Sequence, residues 1–383
     1  MPESPSRRLF FVAGEASGDS HGARLIEALA RQDPSLRFTG LGGVRMRDAG
    51  MTLEHDLAAE GIMGFVEVLK HAPRLRRLLL DTAKRLRADP PDAVVLIDYP
   101  GFNIRLAKLL EGSGIPVVYY ISPQVWAWKK KRIHTLVRAC AKMLVIFPFE
   151  EALYRKLGMD CVFVGHPLIE HIAGFERTLS REDGRVVGLL PGSRAQEIER
   201  LMPPMIALAR ALSKERPDLR FVTPCTNEAR AQQIRKLAGD FPVDIIPGGM
   251  HEVLASARFC FVASGTATLE TALFGVPMII LYRVSPLTYA LARMLVDIKH
   301  IGMVNILAGR GIVPEYIQHA IRVPAILPQA LALIDETPAR QQMLRDLDEV
   351  RASLGGPGAS GRAAQEIQKL LDSQPARVKV SPA

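Results

Sequence analysis

Short runs of apolar residues recur along most of the chain, separated by longer amphipathic stretches. The runs LFFVA (9–13), AVVLID (93–98), PVVYYIS (116–122), MLVIF (143–147) and VFVG (162–165) form a first series. A second consists of RVVGLLP (185–191), RFVTP (220–224), VDIIP (243–247), FCFVA (259–263) and PMIILY (277–282). Apolarity within each run is continuous rather than alternating, as in strands covered on both faces, and the intervening segments have the length of crossover helices. The pattern predicts parallel α/β sheets. Between the two series, IEHIAGFERTLSREDG turns polar and ends at Gly184, which marks an interdomain linker near 170–184. The expected organisation is therefore an N-terminal domain over 1–175 and a C-terminal domain over 182–345, each a Rossmann-like doubly wound sheet. The two would face a cleft, with loops at the strand C-termini supplying the site. Helices are expected over 346–372, interrupted by GGPGASG and free to cross back to the first domain, and the tail 373–383 is expected to be disordered.

Length and composition fit this picture. A chain of 383 residues is too long for one ordinary core, and 48% hydrophobic with 23% charged residues is globular material. No stretch approaches the roughly 18 uncharged apolar residues of a membrane span. The N-terminus has too short an apolar run before Glu15 for a signal peptide, so the protein is expected in the cytosol. Cys140, Cys161, Cys225 and Cys260 show no paired spacing and read as reduced, buried thiols rather than a zinc site. The net charge of +9 favours an anionic partner without saying whether it is nucleic acid or phospholipid.

Two strand–turn–helix junctions in the second half suit a diphosphate. In LLPGSRAQEIERL, Gly192 turns the chain, Ser193 caps the next helix with Gln196 completing a capping box, and Arg194 adds a planar cation. In FVASGTATLETALFGVP, Ser264, Gly265 and Thr266 leave backbone amides open, and Glu270 falls one turn into the helix, where it could accept ribose hydroxyls. Each has a plainer alternative: a well-capped helix with a surface arginine, and close packing of small residues. Neither is a Walker loop or a dinucleotide fingerprint. In the first half, Asp98 ends a strand before Tyr99-Pro100-Gly101, where a carboxylate could take a proton from an attacking hydroxyl; Glu15 sits in the first β–α loop. A turn-closing role for Asp98 and a helix cap at Asp19 are the alternatives. The DLD at 346–348 lies in a charged helical stretch where residues two apart diverge, and it is rejected as a metal site.

The segment 61–88 is different in kind. Ile62, Met63, Phe65, Val66, Val68 and Leu69 precede a strongly basic stretch, and Pro73 is expected to begin a second helix with Leu75, Leu79, Ala83 and Leu86 on one side. Apolar residues beside basic ones suit an anionic bilayer surface, with core packing as the alternative for part of the segment. SPQVWAWKKKR repeats the theme, with Trp126 and Trp128 beside Lys129, Lys130, Lys131 and Arg132.

Taken together, FVAGEASGD, GLGG, GFVEVL, LIDYPGFN, YYISPQVWAWKKKR, VGHPL, LLPGSR, SGTATLE, NIL and VPEYIQ resemble the lipid A disaccharide synthase family from about residue 8 to about 370. The resemblance implies a GT-B fold and an inverting glycosyl transfer that needs neither metal nor cofactor. It implies UDP-2,3-diacylglucosamine as donor, 2,3-diacylglucosamine 1-phosphate as acceptor, and peripheral attachment to the cytosolic face of the inner membrane of Gram-negative bacteria. It makes Asp98 the catalytic carboxylate with Glu15 its companion, and places Arg194 and the SGTATLE turn at the diphosphate. Asn305, Glu315 and Gln318 match further active-site positions, the last two expected on a helix opened by Pro314. A UDP-sugar epimerase would share the fold and the nucleotide half but has no use for the apolar-basic segment. A nucleic-acid binder would use the charge, but no nucleic-acid motif accompanies it. The sequence does not specify an oligomeric state.

Overall fold

The computed structural model describes residues 6–59, 65–126, 131–173, 184–285, 289 and 299–374, with the backbone alone for 65–71, 131 and 173. The elements run β1 (Arg8–Ala13), α1 (Ala16–Gln32), β2 (Arg37–Gly42), α2 (Val44–Asp48), β3 (Thr52–Asp56), α3 (Phe65–Ala88), β4 (Ala93–Ile97), α4 (Pro100–Leu110), β5 (Val117–Tyr120), α5 (Lys131–Ala139), β6 (Lys142–Val145), α6 (Pro148–Arg155), β7 (Cys161–Phe163) and α7 (Pro167–Ala173). They continue with β8 (Val186–Leu190), α8 (Ala195–Glu215), β9 (Arg220–Cys225), α9 (Glu228–Ala238), β10 (Asp244–Pro247), α10 (Met250–Ser256), β11 (Phe259–Ala263), α11 (Thr266–Leu273), β12 (Met278–Tyr282), α12 (Met303–Ala308), β13 (Glu315–Ile317), α13 (Val323–Ile334), α14 (Pro338–Ser353) and α15 (Ala359–Asp372). Two compact units result: Met1–Pro167 with Gly355–Ala383, and Leu168–Leu354.

The first unit holds a seven-stranded sheet in the order β3-β2-β1-β4-β5-β6-β7, and the second a six-stranded sheet in the order β10-β9-β8-β11-β12-β13; the strand pairs are parallel. The continuous apolar runs become the central strands. Every residue of β4, β5, β6 and β11 is buried, because helices cover both faces.

Three strands lie outside the predicted set. β2, RFTGLG, is interior, and its glycines serve a close approach: Gly40 has φ +155°, and a Cβ there would sit 2.1 Å from the Phe11 carbonyl oxygen. β3, TLEHD, and β13, EYI, are edge strands whose residues are at most half-buried, so they carry no continuous apolar signal. The helix opened by Pro314 is not formed; that proline leads into β13. α3 runs unbroken through Pro73, contrary to the expected break there. Its Leu79, Ala83 and Leu86 are buried against β1, β4 and α4, so this face is core.

The chain closes on its own first unit. α15 packs on α1, Arg362 Nε donates to the Val164 carbonyl at 2.7 Å, and Lys142 reaches Glu366 and Asp160 at 2.7 and 3.1 Å.

Candidate active site

In the first sheet the chain steps outward from β1 through β2 to β3 on one side, and from β4 to β7 on the other. The winding therefore reverses between β1 and β4, and the loops after these neighbouring strands diverge, leaving room at their carboxyl ends. Ala13 pairs with Ile97, so Glu15 and Asp98 leave the sheet side by side. Glu15 is the exposed N-cap of α1 and Asp98 is half-buried. Burial, and secondarily the Glu15 charge, pushes the Asp98 carboxyl up to about 6, against a hydrogen bond from the Tyr99 backbone that lowers it. Such a group is largely ionised at neutral pH yet basic enough to accept a proton.

The local backbone is unusual. Asp98 and Tyr99 both have left-handed φ, 45° and 46°. The Tyr99 ring fills the space beside Gly14, where a Cβ would lie 2.2 Å from the ring, so the first loop needs glycine there. Asp19 serves structure: its carboxylate accepts from the backbone N–H groups of Gly43, Arg45 and Met46 at 2.9, 3.1 and 3.0 Å and so caps α2. GEASGD and GLGG are thus two halves of one capping arrangement. His166 packs on the Phe147 ring at 5.3 Å, and burial holds its imidazole neutral, down to about 3.

The second sheet repeats the logic. Its winding reverses between β8 and β11, with Leu190 paired to Val262, so the loops 191–194 and 264–265 open next to each other. Gly192 takes φ +103° and leaves no room for a side chain against Glu197. The helix start is one residue later than predicted. The N-cap is Arg194 rather than Ser193, and Glu197, not Gln196, sits at the third helical position. Glu197 accepts from the Arg194 backbone N–H and from its guanidinium, both at 3.2 Å, because a side chain at the third helical position is the one that reaches back to the cap. The Arg194 side chain stays 66% exposed, within reach of an incoming anion. Gly265, the N-cap of α11, and Thr266 are exposed, and nothing stands within 4 Å of where a Gly265 side chain would be. Glu270 is half-buried, its Oε2 3.5 Å from His251 Nε2, with the His171 ring 5.0 Å from that of His251.

Asn305, Glu315 and Gln318 are engaged with backbone. Asn305, fully buried, donates to Val313 O and Glu315 Oε1 and accepts from the N–H groups of Ile312 and Val313. Glu315 accepts from the N–H groups of Ile301 and Gly302, both at 2.9 Å, at the start of α12. Ser264 Oγ in turn donates to Ile301 O at 3.0 Å, so Glu315 braces the SGT turn through one residue. Gln318 exchanges hydrogen bonds with both backbone groups of Val284.

Of the basic and apolar residues expected at a membrane, Ile62, Met63, Trp128, Lys129 and Lys130 lie outside the described residues. Phe65, Val66, Val68 and Leu69 fall in the first turns of α3 and Lys131 begins α5, backbone only; Arg132 is half-buried. Trp126 is held by Glu150, whose Oε1 accepts from Nε1 at 3.1 Å. Sequence reasoning passed over Asn103, Tyr119 and Glu150. The available signal was a polar or aromatic group inside a motif or apolar run, as in LIDYPGFN and PVVYYIS. Asp346 of DLD accepts from Arg310 and Gln342.

Against known proteins, the family model described as lipid-A-disaccharide synthetase matches residues 9–368. The chain is 43% identical over 378 residues to the lipid-A-disaccharide synthase of Syntrophus aciditrophicus, covering 96% of this chain and 98% of that one. It is 39% identical over 386 residues to that of Geobacter sulfurreducens, covering 98% and 100%. Among solved structures it is similar to a putative UDP-N-acetylglucosamine 2-epimerase from Listeria monocytogenes, with TM-score 0.65 at 14% identity over 97% of this chain and 98% of that one. It is also similar to the calicheamicin glycosyltransferase CalG4, with TM-score 0.62 at 18% identity over 99% and 100%. These likenesses concern the fold, two parallel Rossmann-like sheets of the GT-B type. The match over nearly the whole length, together with relatives similar from end to end, shows that the chain belongs to the lipid-A-disaccharide synthetase family.

Proposed function

We propose that this protein transfers 2,3-diacylglucosamine from UDP-2,3-diacylglucosamine to the 6-hydroxyl of 2,3-diacylglucosamine 1-phosphate, giving the β-1,6-linked disaccharide 1-phosphate and UDP. The acceptor falls to the N-terminal domain over 1–175 and the donor to the C-terminal domain over 182–345. The observation that carries the reading is Asp98, a carboxylate with a raised proton affinity at the winding reversal of the first sheet. In the reaction Asp98 takes the proton of the acceptor hydroxyl as its oxygen attacks the anomeric carbon. The bond to the UDP oxygen breaks with its electron pair, and the configuration inverts in one displacement. The leaving diphosphate gathers negative charge, and Arg194, the Ser193 and Thr266 region and the positive dipole ends at the heads of α8 and α11 supply the compensating charge. Glu270 receives the ribose hydroxyls, while Asn305, Glu315 and Gln318 act by holding the donor-side loops.

Peripheral attachment to the cytosolic face of the inner membrane completes the proposal. No described helix is long and apolar enough to cross a membrane. α3 exposes Arg74, Arg76, Arg77, Lys84, Arg85 and Arg87 on the side away from its buried leucines, a face suited to anionic headgroups. The epimerase alternative shares only the fold. The deciding experiment supplies the two purified acylated sugars and analyses products; UDP release that does not depend on the lipid acceptor would sink the transferase reading. Asp98→Ala is expected to cut transfer by about 10²–10⁴-fold with UDP affinity retained. Turnover within a few-fold of the parent would remove Asp98 from the chemistry.

A further inference from the structure

Asp98 and Tyr99 are consecutive non-glycine residues with positive φ, at 45° and 46°. Such conformations are unfavourable for residues with a side chain and persist only where the surroundings over-determine them. Here the surroundings can be named. Asn103, fully buried on α4, directs its Nδ2 at three carbonyl oxygens: Asp98 at 2.8 Å, Ile97 at 3.1 Å and Val12 at 3.4 Å. Three acceptors around one nitrogen fix which way the amide is turned, since its oxygen would meet only repulsion there. From the other side Tyr119, fully buried on β5, donates its hydroxyl to the same Asp98 carbonyl at 2.6 Å. Two neutral donors on different elements therefore grip one carbonyl oxygen. Neither touches the Asp98 carboxylate, and neither lies where a substrate could reach it.

We propose that Asn103 and Tyr119 are positioning residues for the transfer reaction, clamping the Asp98 carbonyl so that the strained turn holds its carboxylate at the mouth of the first-sheet site beside Glu15. The clamp rests on the assignment of Asp98 made above. The arrangement gives an asparagine and a tyrosine a task inside otherwise apolar packing. It also explains how a left-handed pair survives at the end of a strand whose preceding residues follow regular parallel pairing. Without the clamp the turn relaxes towards ordinary backbone geometry and the carboxylate moves. Among the described residues, the titratable group acting on it is Glu15 at the head of α1; burial and, secondarily, the Asp98 charge in turn keep the Tyr119 phenol on β5 protonated.

The test compares Tyr119→Phe, Asn103→Ser and Asp98→Ala in the full-length enzyme, reading kcat, KM for each acylated sugar, the pH profile of kcat/KM, UDP affinity and thermal stability. A displacement of the base by a fraction of an ångström should lower kcat by about ten- to a hundredfold with KM and UDP affinity unchanged. The acid limb of the profile should also move from about 6 towards the ordinary carboxylate range of about 4 as the carboxyl gains solvent. Tyr119→Phe keeps the ring and one donor, so it is the variant expected to fold; Asn103→Ser gives the same readout independently. An unchanged kcat and acid limb in either folded variant, while Asp98→Ala is inactive, overturns the clamp and leaves the Asp98 assignment standing. A fall in kcat with KM rising in step and the acid limb unmoved marks a merely structural role and overturns it as well. An active Asp98→Ala enzyme removes the assignment itself, a separate outcome.

Discussion

Arg194 must leave one partner to serve another. Its guanidinium is paired with Glu197 three residues on, at 3.2 Å and two-thirds exposed. Surface pairs of this kind contribute about 0.3–0.5 kcal/mol, whereas a hydrogen bond to a charged diphosphate contributes about 1.5–3 kcal/mol. On the proposed placement the diphosphate would win, and the Glu197 pair would pre-orient the side chain. Arg194→Ala should therefore weaken UDP binding by roughly tenfold or more by calorimetry, about 1.4 kcal/mol per factor of ten, with little effect on acceptor affinity. Unchanged UDP affinity would contradict this placement. Residue by residue, what could be read in advance were groups whose chemistry is legible from type and neighbourhood, such as Asp98 at a strand end and Arg194 at a helix head. The hydrogen bonds of Asn305, Glu315 and Gln318 could not be read, because they join residues to backbone brought near only by the fold.

At the level of elements, α6 illustrates a buried group that stability reports directly. Glu150 is completely buried near its start, and burial pushes the carboxyl up to about 8, despite hydrogen bonds from Trp126, the Phe147 backbone and Ser122 that lower it. Between its ordinary value of 4.5 and about 8, the native state holds a proton that the unfolded chain has released. Stability from this group is fully present below 4.5 and is lost as pH rises through 8, with a slope of about 1.4 kcal/mol per pH unit between. Glu150→Gln keeps an acceptor for Trp126 and removes the titration. Its denaturation midpoint should match the parent near pH 4 and exceed it increasingly up to about pH 8; parallel curves would refute the assignment. The same scale shows where pattern reading succeeds and stops. Continuous apolar runs identified the strands buried on both faces. β3 and β13 escaped because an edge strand has polar residues and little length, and β2 because polar and glycine positions interrupt it, Gly40 answering to the Phe11 backbone. α3 was divided at Pro73 on local grounds, but packing of Leu79, Ala83 and Leu86 holds the helix through it.

For the whole molecule, the net charge of +9 matters through its distribution. From residue 70 to 87 there are seven Lys or Arg and one acid, and the described part of α3 turns most of that charge outward while burying Leu79, Ala83 and Leu86. Some of it is already engaged: Arg85 pairs with Glu54 and lies over the Phe10 ring, and Arg77 stands 3.7 Å from Asp81. Arg76 and Lys84 remain exposed in the same helix. Each basic group near an anionic surface contributes about 1 kcal/mol, so a few suffice to recruit the protein without a spanning segment, provided apolar side chains add depth. The first turns of α3, with Val66, Val68 and Leu69, are the apolar residues adjacent to that face along the chain. Changing these three to Ser should reduce flotation with anionic liposomes while thermal stability holds and detergent-dispersed substrate is still turned over. Raising the salt should loosen the remaining basic contribution in both proteins, since screening acts on exposed charge and leaves apolar contact untouched. Normal flotation of the folded variant would remove the membrane role from this segment. Loss of stability would instead assign these side chains to the core, as Leu79, Ala83 and Leu86 already are about three to five turns further on.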